Sequence, residues 1–178
     1  YLYEADNGLQ LQVKGGDLGY RDVWVHYLGD DIPDNLLTET LVVSESSSTY
    51  LGHTTGDIDG DYYLAPGVWV GIYPQLGLAE VYVREESLWP TYSWVQALDT
   101  YDHSTPPYTP YKVKIFTSNG RFYTKIVGNH QNEADIPWVS HDYSYNLEGK
   151  LGYTFGMLVR NTEVETIYNY GVTMSSVS

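Results

Sequence analysis

Hydrophobic and polar positions alternate with a period of two along most of the chain. Leu9, Leu11 and Val13 alternate with Gln10, Gln12 and Lys14, the pattern of a strand buried on one face. Arg21 to Tyr27 repeats it, with Val23, Val25 and Tyr27 on one side. Tyr1, Tyr3 and Ala5 alternate in a short segment cut off by Asp6-Asn7-Gly8, which reads as a detachable terminal strand with a joint over residues 1–8, ahead of a main domain over 9–178. No stretch sustains the 3.6-residue period of a helix.

Tyr111 to Val127 is the most fully determined element. Two runs rich in β-branched and aromatic residues flank Asn119-Gly120, a dipeptide suited to the positive φ angles of a type I′ turn. A two-residue loop sets Ser118 opposite Arg121, so Val113 meets Ile126, Ile115 meets Thr124 and Thr117 meets Phe122 on the core side. The other face pairs Phe116 with Tyr123 and Lys114 with Lys125, with Lys112 one step along. Like charges directly opposite each other are unfavourable unless something acidic lies over them.

Further strands are expected at Val68 to Tyr73 and Leu78 to Arg84, joined across Pro74-Gln75-Leu76-Gly77, and at Tyr92 to Leu98, Tyr153 to Arg160, Thr162 to Asn169 and Val172 to Val177. Leu36 to Val43 suits a strand or a helical turn. Ser44 to Thr49, Tyr101 to Tyr111 and Asn129 to Pro137 read as loops. About ten short strands at spacings of roughly 8–12 residues predict an all-β, single-domain antiparallel β-sandwich of jelly-roll type.

Composition limits the partners. The 178 residues carry 9 Lys+Arg against 23 Asp+Glu, a formal charge of -14, so nucleic acid and anionic membrane are poor partners. Cysteine is absent, which removes disulfides and thiolate metal sites. Nineteen tyrosines mark a packed chain rather than a disordered acidic tail. Leu64 to Val83, the longest apolar region, holds Pro66, Pro74 and Glu80 and predicts strands and turns, not membrane insertion. A chain opening on Tyr1 reads as a processed, exported protein, expected outside the cell or at its surface, although an excised domain would look the same.

Gly56-Asp57-Ile58-Asp59-Gly60-Asp61 is the most pointed chemical feature. Asp57, Asp59 and Asp61 can converge hard oxygens on one calcium, with Asp30, Asp31 and Asp34 as a second acidic group. Pro66 stands where an EF-hand would need its Glu, and a solvated acidic turn is the plain alternative. Catalytic signals are thin: no metalloprotease, nucleophile-elbow or phosphate-loop motif occurs, and the five His residues lack metal-ligand spacing. Glu80 and Glu165 would serve as a glycosidase pair only if they faced each other across a cleft about 5–10 Å wide. Trp89, Trp94, Tyr101, Tyr108 and Trp138 near the loops suit either a sugar-stacking platform or a subunit interface.

The order of a Tyr-Lys-Val-Lys-Ile strand, an Asn-Gly-Arg turn, a return strand, a Gly-rich connection and a final Val164 to Met174 region resembles the back half of concanavalin-like jelly rolls, over the last third of the chain. In general type the chain also resembles the acidic, cysteine-free subunits of TasA-like fibres and archaeal cannulae, which would imply strand exchange and calcium. The sequence thus points first to a non-catalytic extracellular structural subunit, a homo-oligomer or polymer assembled through Tyr1, Tyr3, Ala5, Lys112, Lys114 and Lys125. A secreted carbohydrate-binding module, with polysaccharide as partner, is the alternative. A glycoside-active enzyme comes third.

Overall fold

The computed structural model describes residues 2–5, 8–14, 19–27, 36–43, 48–55, 66–73, 76–84, 91–98, 111–118, 121–128, 131–142, 151–161 and 167–176. They form two antiparallel sheets in a sandwich. The strands are β1 (Leu2–Ala5), β2 (Gly8–Lys14), β3 (Gly19–Tyr27), β4 (Leu36–Val43), β5 (Ser48–Thr55), β6 (Gly67–Tyr73), β7 (Leu78–Arg84), β8 (Thr91–Ala97), β9 (Tyr111–Ser118), β10 (Arg121–Val127), β11 (Val139–Asp142), β12 (Leu151–Asn161) and β13 (Ile167–Ser176). One sheet has seven strands in the order β1-β2-β13-β4-β9-β10-β11, the other six in the order β3-β12-β5-β6-β7-β8.

The central hairpin has the register that its sequence dictates. Val113 faces Ile126, Ile115 faces Thr124, Thr117 faces Phe122, and Lys114 faces Lys125. The first three pairs are buried in the core, with no member more than 5% exposed. The β6–β7 hairpin likewise pairs Val68 with Val83 and Val70 with Val81. Leu36 to Val43 is a strand, paired with both β13 and β9.

Three segments differ from expectation, and the strands outnumber the ten anticipated. Ser48–Thr55 is a strand whose start overlaps the serine-rich run read as a loop. Its inward positions are Thr49, Leu51 and His53, two of them polar, so the segment shows no hydrophobic alternation. Val139–Asp142 adds a short edge strand after the expected loop, and that loop contains one 3-10 turn at Glu133–Asp135. Near the end of the chain a single strand, β13, runs through the break expected between Asn169 and Val172, because it is paired on both sides, with β2 and β4.

His53 ties the two sheets together. From β5 its ring reaches Thr38 Oγ1 on β4 through Nε2 at 2.7 Å and Thr117 Oγ1 on β9 through Nδ1 at 2.5 Å. Thr38 also directs its hydroxyl toward the Ile115 carbonyl at 3.5 Å, and in a neutral ring one nitrogen donates to its threonine while the other accepts. The ring is fully buried, and burial pushes its pKa down to about 3. Close approach of β5 and β6 frames it: a Cβ on Gly52 would lie 2.2 Å from the Val68 carbonyl oxygen, and one on Gly67, at φ +145°, 2.2 Å from that of His53. A second cross-sheet bond runs from Gln96 Nε2 on β8 to the Ile126 carbonyl on β10, at 2.8 Å.

Candidate functional site

The outward face of the six-stranded sheet is the first place to look for a binding surface. There Trp69 is fully buried and Tyr82 only 6% exposed, with Tyr50 packed against them. Tyr50 meets Tyr73 edge-to-face at 5.9 Å, and burial raises the Tyr73 phenol above its usual range, aided by a hydrogen bond to Tyr50. These rings are occupied in packing. Among the described residues of this face, these rings are not open in the way that stacking needs.

The outward face of the seven-stranded sheet is different. Alternation along β4, β9 and β10 sends Leu37, Glu39, Leu41, Lys112, Lys114, Phe116, Tyr123 and Lys125 to this side. Strand register then lays them in rows. One row runs Leu37–Phe116–Tyr123–Ser140 across four strands, with the rings of Phe116 and Tyr123 5.8 Å apart and tilted by 33°. The adjacent row runs Glu39–Lys114–Lys125. β11 starts at Val139 opposite Thr124, so Trp138, one residue earlier, arrives beside Lys125. Its ring lies with Lys125 Nζ 5.3 Å from the centroid.

Glu133 answers the charge problem of the lysine row. From the 3-10 turn it accepts hydrogen bonds from Lys114 and, at 2.9 Å, from Lys112, while Glu39 lies 3.4 Å from Lys114 and 3.9 Å from Lys112. These hydrogen bonds from Lys114 and Lys112 pull the Glu133 carboxyl down to about 2, and the same bond to Glu133 raises the Lys114 ammonium. The acidic cover that the sequence demanded comes from within the chain.

Trp138 remains open. It is 42% exposed, and its neighbours on the face, Tyr123 and Phe116, are half-buried. The face thus carries one open indole, the half-buried Phe116–Tyr123 pair in the adjacent row, the hydroxyl of Ser140 at the end of that row, and the charged tips of the lysine row. Aromatic faces beside hydrogen-bonding tips suit a ligand that is apolar on its flat side and hydroxylated at its edge.

The structure brings together Trp138, Lys112, Lys114 and Lys125 of the residues singled out in the sequence. Trp94 is also exposed, at 41%, but stands on β8, the edge strand of the other sheet. Tyr3 and Ala5 lie on β1, at the opposite edge of the seven-stranded sheet from β11, and pair with Gln10 and Gly8 of the same chain. Asp57, Asp59, Asp61, Trp89, Tyr101, Tyr108, Tyr1 and Glu165 fall outside the described residues. Phe116 and Tyr123 were legible only as strand residues. The available signal was that they share one face of the hairpin with three lysines.

No protein-family model matches the sequence, and no curated protein matches it. In three dimensions the chain is similar to the carbohydrate-binding module CBM66 from Bacillus subtilis, with a TM-score of 0.54 and 14% identity over 99% of this chain and 91% of that one. It is also similar to the exoplasmic/lumenal domain of VIP36: in the Ca2+-bound form the TM-score is 0.64 at 11% identity, over 99% of this chain and 81% of that one. The Ca2+/Man-bound form of the same domain gives a TM-score of 0.61 at 12% identity, with 99% and 82% covered. At such identities the likeness is one of fold. It agrees with the concanavalin-like resemblance and lends no support to the fibre-subunit one.

The VIP36 structures raise the question of calcium. Among the described residues no group of three or more His, Asp or Glu is arranged to hold a metal ion. Glu39 and Glu133 are engaged by lysines, and the acidic run at Asp57, Asp59 and Asp61 lies outside those residues.

Proposed function

We propose that this chain is a carbohydrate-binding module that takes a neutral glycan on the outward face of its seven-stranded sheet. The observation that carries the reading is Trp138: an open indole seated on Lys125 beside the Phe116–Tyr123 row. The structural likeness to CBM66, a carbohydrate-binding module, and to the Man-bound VIP36 domain supports it. Sugar stacks on Trp138, and Ser140 and the lysine–glutamate tips meet its hydroxyls. A formal charge of -14 disfavours polyanionic glycans and favours neutral ones. The protein belongs outside the cell or in a lumenal compartment, as the VIP36 domain does; among the described residues, no helix is long and apolar enough to cross a membrane.

Fibre assembly ranks below this reading. β1 is paired within its own sheet, and Lys112 and Lys114 are engaged by Glu39 and Glu133.

Native electrophoresis through gels containing cellulose derivative, xylan or mannan tests the proposal. The protein should be retarded by at least one of them, and unchanged mobility in all would remove the reading. Calcium at Asp57, Asp59 and Asp61 is a separate element of it. A metal bound only by the folded state raises the melting temperature, by about 2.7 kcal/mol of stability at a hundredfold excess over Kd. Millimolar calcium should therefore shift the melt, and Asp59→Ala should cancel most of the shift. An unshifted melt would discard the site.

A further inference from the structure

The lysine row has a structural consequence for the residue that meets the sugar. Trp138 follows the 3-10 turn by three residues and precedes β11 by one, so a loop delivers it, and side chains carried by loops are ordinarily free to reorient. This loop is stitched down. Gln131 Oε1 accepts from the Gly128 amide at 2.8 Å, the Asp135 amide donates to the Asn132 carbonyl at 3.0 Å, and the Ile136 amide donates to the Glu133 carbonyl at 3.1 Å. Glu133 anchors the turn to β9 through Lys112 and Lys114. Lys125 then rises from β10 to meet the indole.

We propose that the lysine row is a mount for Trp138: Lys125 seats the indole, and the Glu133 clamp on Lys112 and Lys114 fixes the turn that carries it, making all four positioning residues for glycan binding. The inference rests on the reading of Trp138 as the sugar contact. An ammonium on a ring is held by the ring's quadrupole, so the indole is placed before the ligand arrives. A ring already placed loses less freedom on binding, and affinity rises accordingly. The mount also explains why cations so scarce in this chain gather here: three of its five lysines stand on this hairpin.

The test uses the full chain labelled with 5-fluorotryptophan, whose Trp138 resonance is identified by its loss in Trp138→Phe. Lys125→Met keeps the stem and removes the charge. It should move the Trp138 fluorine resonance in the ligand-free protein and weaken binding to the retarding polysaccharide by roughly three- to tenfold. Lys125→Arg should preserve both, since a guanidinium also stacks on indole. Glu133→Gln, a surface change that leaves the strands intact, should shift the same resonance and weaken binding in the same direction; it carries the test if Lys125→Met fails to fold. Unchanged affinity in Lys125→Met and Glu133→Gln, or an unmoved Trp138 resonance, overturns the mount while leaving glycan binding in place. A wild type that no polysaccharide retards contradicts the functional reading itself, and the mount falls with it.

Discussion

Acidification from pH 6.5 to pH 4.5 is expected to destabilise the fold by about 2 kcal/mol through His53 alone. The sign follows from the depressed pKa. Burial holds the folded-state value at about 3, against 6.5 for an ordinary histidine, so between those limits the unfolded chain binds the extra proton. Stability is whole well above pH 6.5, and the slope of its fall approaches about 1.4 kcal/mol per unit below it. The loss continues until pH approaches 3. His141, buried at 1% exposure beside Thr124, also has a lowered pKa and adds in the same direction. Two other effects share the window. Protonating carboxylates relieves the self-repulsion of a chain at -14, which opposes the loss. The Glu133 clamp holds while its carboxyl, at about 2, stays charged. His53→Gln isolates the histidine, because an amide can donate to one threonine and accept from the other without titrating. Urea unfolding at pH 6.5 and 4.5 should show a smaller loss in His53→Gln than in the wild type, by about 2 kcal/mol. Equal losses would remove His53 as the cause.

Trp138→Ala should weaken glycan binding by at least about tenfold, or 1.4 kcal/mol, as loss of a central aromatic anchor does. The fold should survive, since the side chain is 42% exposed and lies outside the core. Trp94→Ala provides the contrast. That residue is as exposed but sits on the edge strand of the other sheet, so its removal should change affinity less than about twofold. Affinity electrophoresis of both variants measures the difference. The reverse ranking would move the site to β8.

The strand pattern of the central hairpin was legible because two constraints agreed. Alternation named the buried face and Asn119-Gly120 set the register, so pairs such as Val113–Ile126 followed from counting. The same counting exposed the opposed Lys114 and Lys125 and the need for acidic cover. It could not name Glu133, which acts from a turn nineteen residues beyond Lys114 in the chain. β5 escaped notice for a related reason. Thr49, Thr54 and His53 are polar by composition and buried by partnership, and Thr38 and Thr117 stand 15 and 64 residues from His53. Trp138 could be listed among loop aromatics, but its role depends on β11 continuing the register of β10 to Lys125. A four-residue edge strand leaves too short a pattern to reveal that.

Titration of the isotopically labelled protein with oligosaccharides of whichever neutral polysaccharide retards it, followed by NMR, locates the ligand directly. Saturable shifts are expected at the Trp138 indole, Tyr123, Phe116 and Ser140, with Trp69 and Tyr82 on the other sheet unmoved. Shifts confined to the six-stranded sheet, or none at saturating sugar, would contradict a glycan site on the seven-stranded face.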